Sequence, residues 1–407
     1  MPCAVVAWCP AVALSPTMRF LVVFLCGLCA AAAIGKLVPH VQWMSHHFGV
    51  SLGASGFAVS AVMLPGVLLG PFLGLAADRA GAKRVALAGL ALLACASLGF
   101  TLAGSFALLV ALRFAEGVGY SLSIVALTVL VVEGATARRQ ALALAVWSAF
   151  APLGFALGQW GGAAAPALNP LPAVGLGHAL ALFLLTLCLA FMVPSNPRIA
   201  PSAAPGVFLA VVRHPPAMRT ALAFGCATAV LLGAVALAPL VLAPRAGLSV
   251  SATAQLTALA ALPGLLGRFA SGWLLGSTTR PFIVFVSSGL VGCAFLVAAL
   301  GLPLPLAAAL GCFAAFQIAV GAMPGVMSAM LPWVAPGAGQ LGTVSGLANQ
   351  MITAGNLVAP PLVLAVYSLW GTGSAIALLL AVIAASVLLV AGVGAYRKPL
   401  AAGRGPG

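Results

Sequence analysis

Apolar runs of about twenty residues or more follow one another along almost the whole chain, separated by short breaks of Gly, Pro and charge. A helix needs roughly 20 apolar residues to cross the hydrocarbon core of a bilayer. The pattern therefore predicts an all-α membrane protein of about twelve transmembrane helices. The first six fall near 20–42, 54–77, 83–103, 105–132, 139–163 and 172–193. The second six fall near 217–243, 252–276, 281–301, 304–332, 339–367 and 371–395, giving two pseudo-symmetric six-helix bundles.

Composition points the same way, with 63% hydrophobic and 5% charged residues, against about a quarter charged in soluble domains. The formal net charge of +14 would suit nucleic acid in a soluble protein. Here the bases sit mostly in the connections, without aromatic and basic residues interleaved, so no nucleic-acid partner is expected. With the N-terminus cytoplasmic, the inner connections hold thirteen of the seventeen Lys and Arg, and only Arg245 falls in an outer loop. That bias predicts a multi-pass protein of the cell membrane with both termini cytoplasmic.

Residues 1–17 hold Pro2, Pro10 and Pro16 and no basic stretch, unlike a cleavable signal peptide. They read as a leader, with Met18 before Arg19 a second candidate start. Residues 18–193 form the first bundle, 194–216 a proline-rich cytoplasmic linker, 217–396 the second bundle and 397–407 a tail. Internal duplication supports the division: Ser51, Pro65, Gly66 and Gly74 recur as Ser249, Pro263, Gly264 and Gly272, each pair 198 residues apart. Cysteines within apolar stretches read as small hydrophobes, the Cys26 and Cys29 pair included, because no strand and helix context of a redox fold surrounds them.

The connection after the second span reads Gly74-Leu75-Ala76-Ala77-Asp78-Arg79-Ala80-Gly81-Ala82-Lys83-Arg84. An acid at a helix C-terminus is disfavoured by the dipole, so Asp78 needs nearby cations or a facing helix N-terminus. This stretch resembles the signature loop of the major facilitator superfamily at Gly74, Asp78, Arg79, Gly81 and Lys83, with Ala82 where the family has a base. The resemblance covers nearly the whole chain and implies secondary transport by alternating access, with these five residues gating and stabilising the outward-open state. In the fourth span, Arg113, Gly117 and Gly119 match the family's basic motif, and Glu116 stands where an amide is common. Ile34-Gly35-Lys36 with Pro39, Trp147 to Gly154, and the polar eleventh span resemble bacterial inner-membrane members near the cyanate and nitrate branch.

Arg113 and Glu116 lie three apart and so share one helix face. An ionisable pair at membrane depth is costly unless it faces the bundle interior, and Glu116 is the one acid well inside a span, the candidate for proton coupling. Lys36 in the first span either snorkels to the surface or faces a cavity. Arg268 in the eighth span corresponds, through the 198-residue offset, to Gly70, and no acid follows Glu133 in the chain. Lys36, Arg113 and Arg268 against Glu116 make a cavity with surplus positive charge, which favours a small anionic substrate. Gln317, Asn349, Gln350 and Asn356 add neutral groups able to bind a solute or to bond neighbouring helices.

No nucleophile and base pair or metal-ligand set occurs at suitable spacing, so neither an enzyme nor a metal or other cofactor is expected, and a monomer in the lipid bilayer is. Two alternatives stand beside anion transport: proton-coupled efflux of hydrophobic cations or neutral drugs, suggested by the partial match of Pro152 and Gly154 to an antiporter motif, and a non-transporting membrane receptor or sensor.

Overall fold

The computed structural model describes residues 15–136, 139–166, 168–194, 206–277, 280–337 and 339–391. The leader's first fourteen residues, linker residues 195–205 and the tail lie outside these. Helices α1 (Pro16–Gly35), α2 (Val41–Phe48), α3 (Leu52–Ser60), α4 (Leu64–Ala80), α5 (Ala82–Leu98), α6 (Phe106–Gly134), α7 (Gln140–Trp147), α8 (Phe150–Ala163) and α9 (Pro170–Met192) build the first half. Helices α10 (Val207–Arg213), α11 (Pro215–Ala246), α12 (Val250–Ala261), α13 (Gly264–Ser277), α14 (Pro281–Leu296), α15 (Leu306–Met330) and α16 (Leu341–Ala391) follow. Eleven stretches are long and apolar enough to cross a membrane. The last is 51 residues long and turns at Gly371, where φ is 78°, so it supplies two crossings and the total is twelve.

Four spans break where a proline removes a donor. Pro39, Pro65, Pro152 and Pro263 lack the N–H that would bond the carbonyl four residues earlier, and the helices give way around 36–37, 61–63, 148–149 and 262–263. The first span thus ends its α-helix at Gly35 instead of running on to 42, and α2 takes over after a 3₁₀ turn at Val38–His40. The linker also differs from expectation. It contains α10, whose Phe208 stacks on Phe72 of α4 with ring centres 4.6 Å apart. Pro215 and Pro216 begin α11, where a missing N–H costs no helical bond.

The duplicated residues do the same jobs in both halves. Ser51 caps α3 by accepting from the Ala54 amide, and Ser249 caps α12 by accepting from the Ala252 amide, both at 3.1 Å. Within the first half α1 packs on α6, α8 and α9, and α5 on α6 and α9. In the second half α11 packs on α16 and α15, and α15 on α13 and α14.

The halves meet mainly through α4 against α16 and α7 against α13 and α15. These are the segments nearest the face where α9 ends and α11 begins, the linker face. Beyond the breaks, α8 packs on α1 and α9, and α12 on α11 and α15, each within its own half. Contact between the halves is thus concentrated on the linker face.

Candidate functional site

Two kinds of polar chemistry lie inside the apolar body. The first is a charge cluster within the first half. Glu116 on α6 accepts from Lys36 Nζ at 2.5 Å and from Arg113 Nη1 at 2.6 Å. The Ser97 hydroxyl on α5 donates to the same carboxylate at 2.5 Å. Arg113 is fully buried and places three more of its five donors on carbonyls at helix ends: Ala33 at 2.8 Å, Ala58 at 3.1 Å and Val59 at 2.8 Å. The breaks after α1 and α3 expose those carbonyls, so the backbone is shaped to receive the guanidinium.

Lys36 is 3% exposed and does not snorkel. Its ammonium has three donors and three partners: Glu116, Ser97 Oγ at 2.8 Å and His178 Nδ1 at 2.9 Å. The Phe100 ring lies 4.5 Å away, on the same charge. His178 on α9 faces the Cys29 carbonyl through Nε2 at 2.9 Å. A carbonyl only accepts, so Nε2 carries the hydrogen and Nδ1 of the neutral ring is the acceptor. The sequence reading named neither His178 nor Ser97. The signal that finds His178 is an ionisable side chain in a span otherwise free of charge. His40, four residues from Lys36, leaves this group because of the break at Pro39 and bonds the Gly162 carbonyl at 2.9 Å.

The second kind of chemistry is at the seams between the halves. Asp78, at the end of α4, reaches the start of α16 and accepts from the Gly342 amide at 2.7 Å, the Thr343 amide at 2.7 Å and the Thr343 hydroxyl at 2.6 Å. The facing helix N-terminus that an acid in this position needs is therefore present, supplied by the other half. Of the other loop residues, Arg79 is exposed and Lys83 bonds the Ala190 carbonyl of its own half at 2.7 Å. Gly81 turns the chain with φ of 92°. Above Asp78 the backbones touch: a side chain on Gly74 would run into the Gly342 carbonyl, and one on Gly70 into that of Gly346. Gln350 Nε2 donates to the Val67 carbonyl at 2.6 Å. That carbonyl is free because residue 71, its helical partner, is proline.

On the other seam, Arg268 of α13 donates through Nη1 to the Ser148 carbonyl at 2.8 Å. Ser148 lies at the break between α7 and α8, and Pro152 withholds the amide that its carbonyl would bond. Arg268 is partly buried, and no carboxylate pairs with it among the described residues. The Ser148 carbonyl is the one hydrogen-bond partner of its guanidinium among the described residues. The structure thus joins Lys36 and Arg113 to Glu116 but leaves Arg268 apart, so the three cations do not form the single cavity that the sequence suggests.

Neutral groups complete the interior. Ser121 on α6 and Asn349 on α16 converge, since a Cβ on Gly66 would lie 3.1 Å from both Ser121 Oγ and Asn349 Nδ2. Those two atoms, with Ser345 Oγ one turn before Asn349, are buried with no hydrogen-bond partner from the protein. Such groups are uncommon in native interiors and mark places where water or a ligand supplies the missing bond. Asn356, two turns beyond Asn349, is partly buried, and Gln317 is buried on α15 beside Gly264 of α13.

Comparison with known proteins agrees with this architecture. The Major Facilitator Superfamily pattern matches residues 23–360. The human organic anion transporter MFSD10 (TETRAN) superposes with a TM-score of 0.74 at 21% identity, covering 93% of this chain and 100% of that one. The E. coli fucose:proton symporter FucP gives 0.74 at 15% identity over 94% and 100%. The proton:xylose symporter XylE gives 0.75 at 15% identity over 93% and 95%. At these identities the likeness is one of fold. No curated protein matches the sequence.

Proposed function

This chain belongs to the major facilitator superfamily, and from that premise we propose that it carries a small anion, bound where the two halves meet, and couples its movement to protons through the cluster around Glu116. As a secondary transporter it works by alternating access, one half rocking against the other around a site near the midplane. The observation that supports an anion is Arg268, a cation on a seam with no carboxylate partner. The chain holds only three acids, Asp78, Glu116 and Glu133. Asp78 is engaged by α16 and Glu116 by Lys36 and Arg113. An anion is the counter-charge that Arg268 lacks, and Ser121 on α6, Ser345, Asn349 and Asn356 on α16 and Gln317 on α15 offer it neutral hydrogen bonds, while Gln350 is held by the Val67 carbonyl. Lys36 and Arg113 act on the cargo indirectly, because seven of their eight donors are engaged by Glu116, Ser97, His178 and backbone carbonyls. Kinship with the cyanate and nitrate branch, suggested by three short stretches, fits a small anion. The bias of Lys and Arg toward the linker face supports a cytoplasmic location for that face.

The test is the melting temperature of the purified protein against a panel of small inorganic and organic anions and hydrophobic cations. A ligand at 100 times its dissociation constant stabilises by about 2.7 kcal/mol. One anion class should raise the melting temperature in the wild type and fail to do so in Arg268→Gln. Stabilisation by cations alone would overturn the reading and put efflux of hydrophobic cations in its place.

A further inference from the structure

We infer that the buried cluster of the first half is a proton-binding site whose exchangeable proton sits on Lys36, with His178 as its acceptor, and not on Glu116. The inference deepens the coupling part of the proposed function and begins from a charge count. Lys36 and Arg113 are cationic, Glu116 is anionic and the His178 ring is neutral, so the cluster as built carries one uncompensated positive charge. No other acid is near enough to balance it. Glu133 is seventeen residues along α6, about 25 Å away at 1.5 Å per residue, and Asp78 is held by α16. An unbalanced charge at membrane depth is costly, so the cluster is poised toward the state with one proton fewer.

The geometry identifies which proton leaves. Protonating Glu116 would remove the only anion between two cations and raise the net charge further. Arginine keeps its proton in proteins, whereas a buried lysine releases one readily. Lys36 remains, and the network stays satisfied when it becomes neutral. The Nζ–H bond pointing at His178 breaks, Nζ keeps the electron pair, and the proton passes to Nδ1 and then to water. The Ser97 hydroxyl, 2.8 Å from Nζ, turns from Glu116 to donate to the new lone pair, while one of the two remaining Nζ–H groups still serves Glu116. His178 is also the member that is only partly buried, with Lys36 at 3% exposure and Ser97, Arg113 and Glu116 at 0%, so the path outward leads through it. The titratable and charged groups facing Lys36 are Arg113 and Glu116 from α6, His178 from α9 and Cys29 from its own helix. From α5 the contact is Ser97, and α3 and α8 contain no titratable side chain.

The test counts protons and reads carboxyl groups in the same samples. Purified wild type, Lys36→Met and Glu116→Gln are titrated from acid to alkaline pH with proton release measured and infrared difference spectra recorded. Wild type should release about one proton more than Lys36→Met, and the carboxylic-acid band seen on the acidic side should be unchanged in Glu116→Gln, since any such band then comes from the chain's other carboxyl groups. Equal release from wild type and Lys36→Met, or a band component that disappears in Glu116→Gln, would overturn the assignment. Should Lys36→Met fail to fold, His178→Leu serves instead. Loss of the Nδ1 acceptor should move the release to lower pH by about tenfold in proton concentration or more, and an unmoved release would overturn it. Uptake driven by a pH gradient is measured separately in wild-type vesicles. Uptake that ignores the gradient would refute proton coupling, while the proton count would still decide where the proton sits.

Discussion

The two seams that hold the halves together are related by the chain's own duplication. Gly70 meets Gly346 on one seam and Arg268 meets Ser148 on the other, and both 70 and 268 and 148 and 346 are 198 residues apart. Both use the same device: a proline in the first half frees a carbonyl, and a side chain of the second half takes it. Pro71 frees Val67 for Gln350, and Pro152 frees Ser148 for Arg268. They differ in charge. The α4 and α16 seam is closed by touching glycine backbones, a neutral amide and the Asp78 carboxylate, which already occupies the helix N-terminus. The other seam, where Gly272 packs on Ala145 and Leu142, carries a guanidinium bonded to the Ser148 carbonyl, and on the proposed function an anion draws that guanidinium away. On the proposed function, the first seam sets how stable the closed face is, and the second ties that stability to cargo.

Four substitutions would break or sharpen this contrast, each read as the population of the closed linker face by spin-label distances across it. Asp78→Ala should have the largest effect. It strips two amides and a hydroxyl of a charged acceptor, costing the closed state about 3 kcal/mol, a shift of roughly a hundredfold. Gly346→Leu comes next, at roughly 2 kcal/mol for forcing a side chain between touching backbones, with transport lost in proportion. Arg268→Gln should cost about 1.5 kcal/mol in the absence of cargo. Unlike the first two, it should also abolish the shift that an anion produces, and an anion response that survives would erase the contrast between the seams. Pro152→Ala should have the smallest effect, under about 1 kcal/mol, because the restored amide lets the helix reclaim the Ser148 carbonyl while Arg268 keeps its charge.

Part of this site is legible in the chain alone. Asp78 at a helix end calls for a facing helix N-terminus, and α16 supplies it. Arg113 and Glu116, three apart on one helix, meet as their spacing requires. Lys36 remains ambiguous in the sequence between the surface and the interior, because a lysine near a span end suits both. The partners that settle it, Ser97 and His178, lie 61 and 142 residues away. Arg268 is visible as an unbalanced charge, but nothing local separates it from Lys36 and Arg113, and the inference of one shared cavity fails for that reason.

By itself the sequence determined the number of crossings and the division into two halves, since bilayer thickness and repeated residues are properties of short stretches of chain. Only the tertiary structure decided which way each buried charge points and which half supplies its partner. In helices apolar on every side, hydrophobic periodicity does not orient a face, and the orientation is fixed by residues far apart in the chain whose buried polar atoms must find one another.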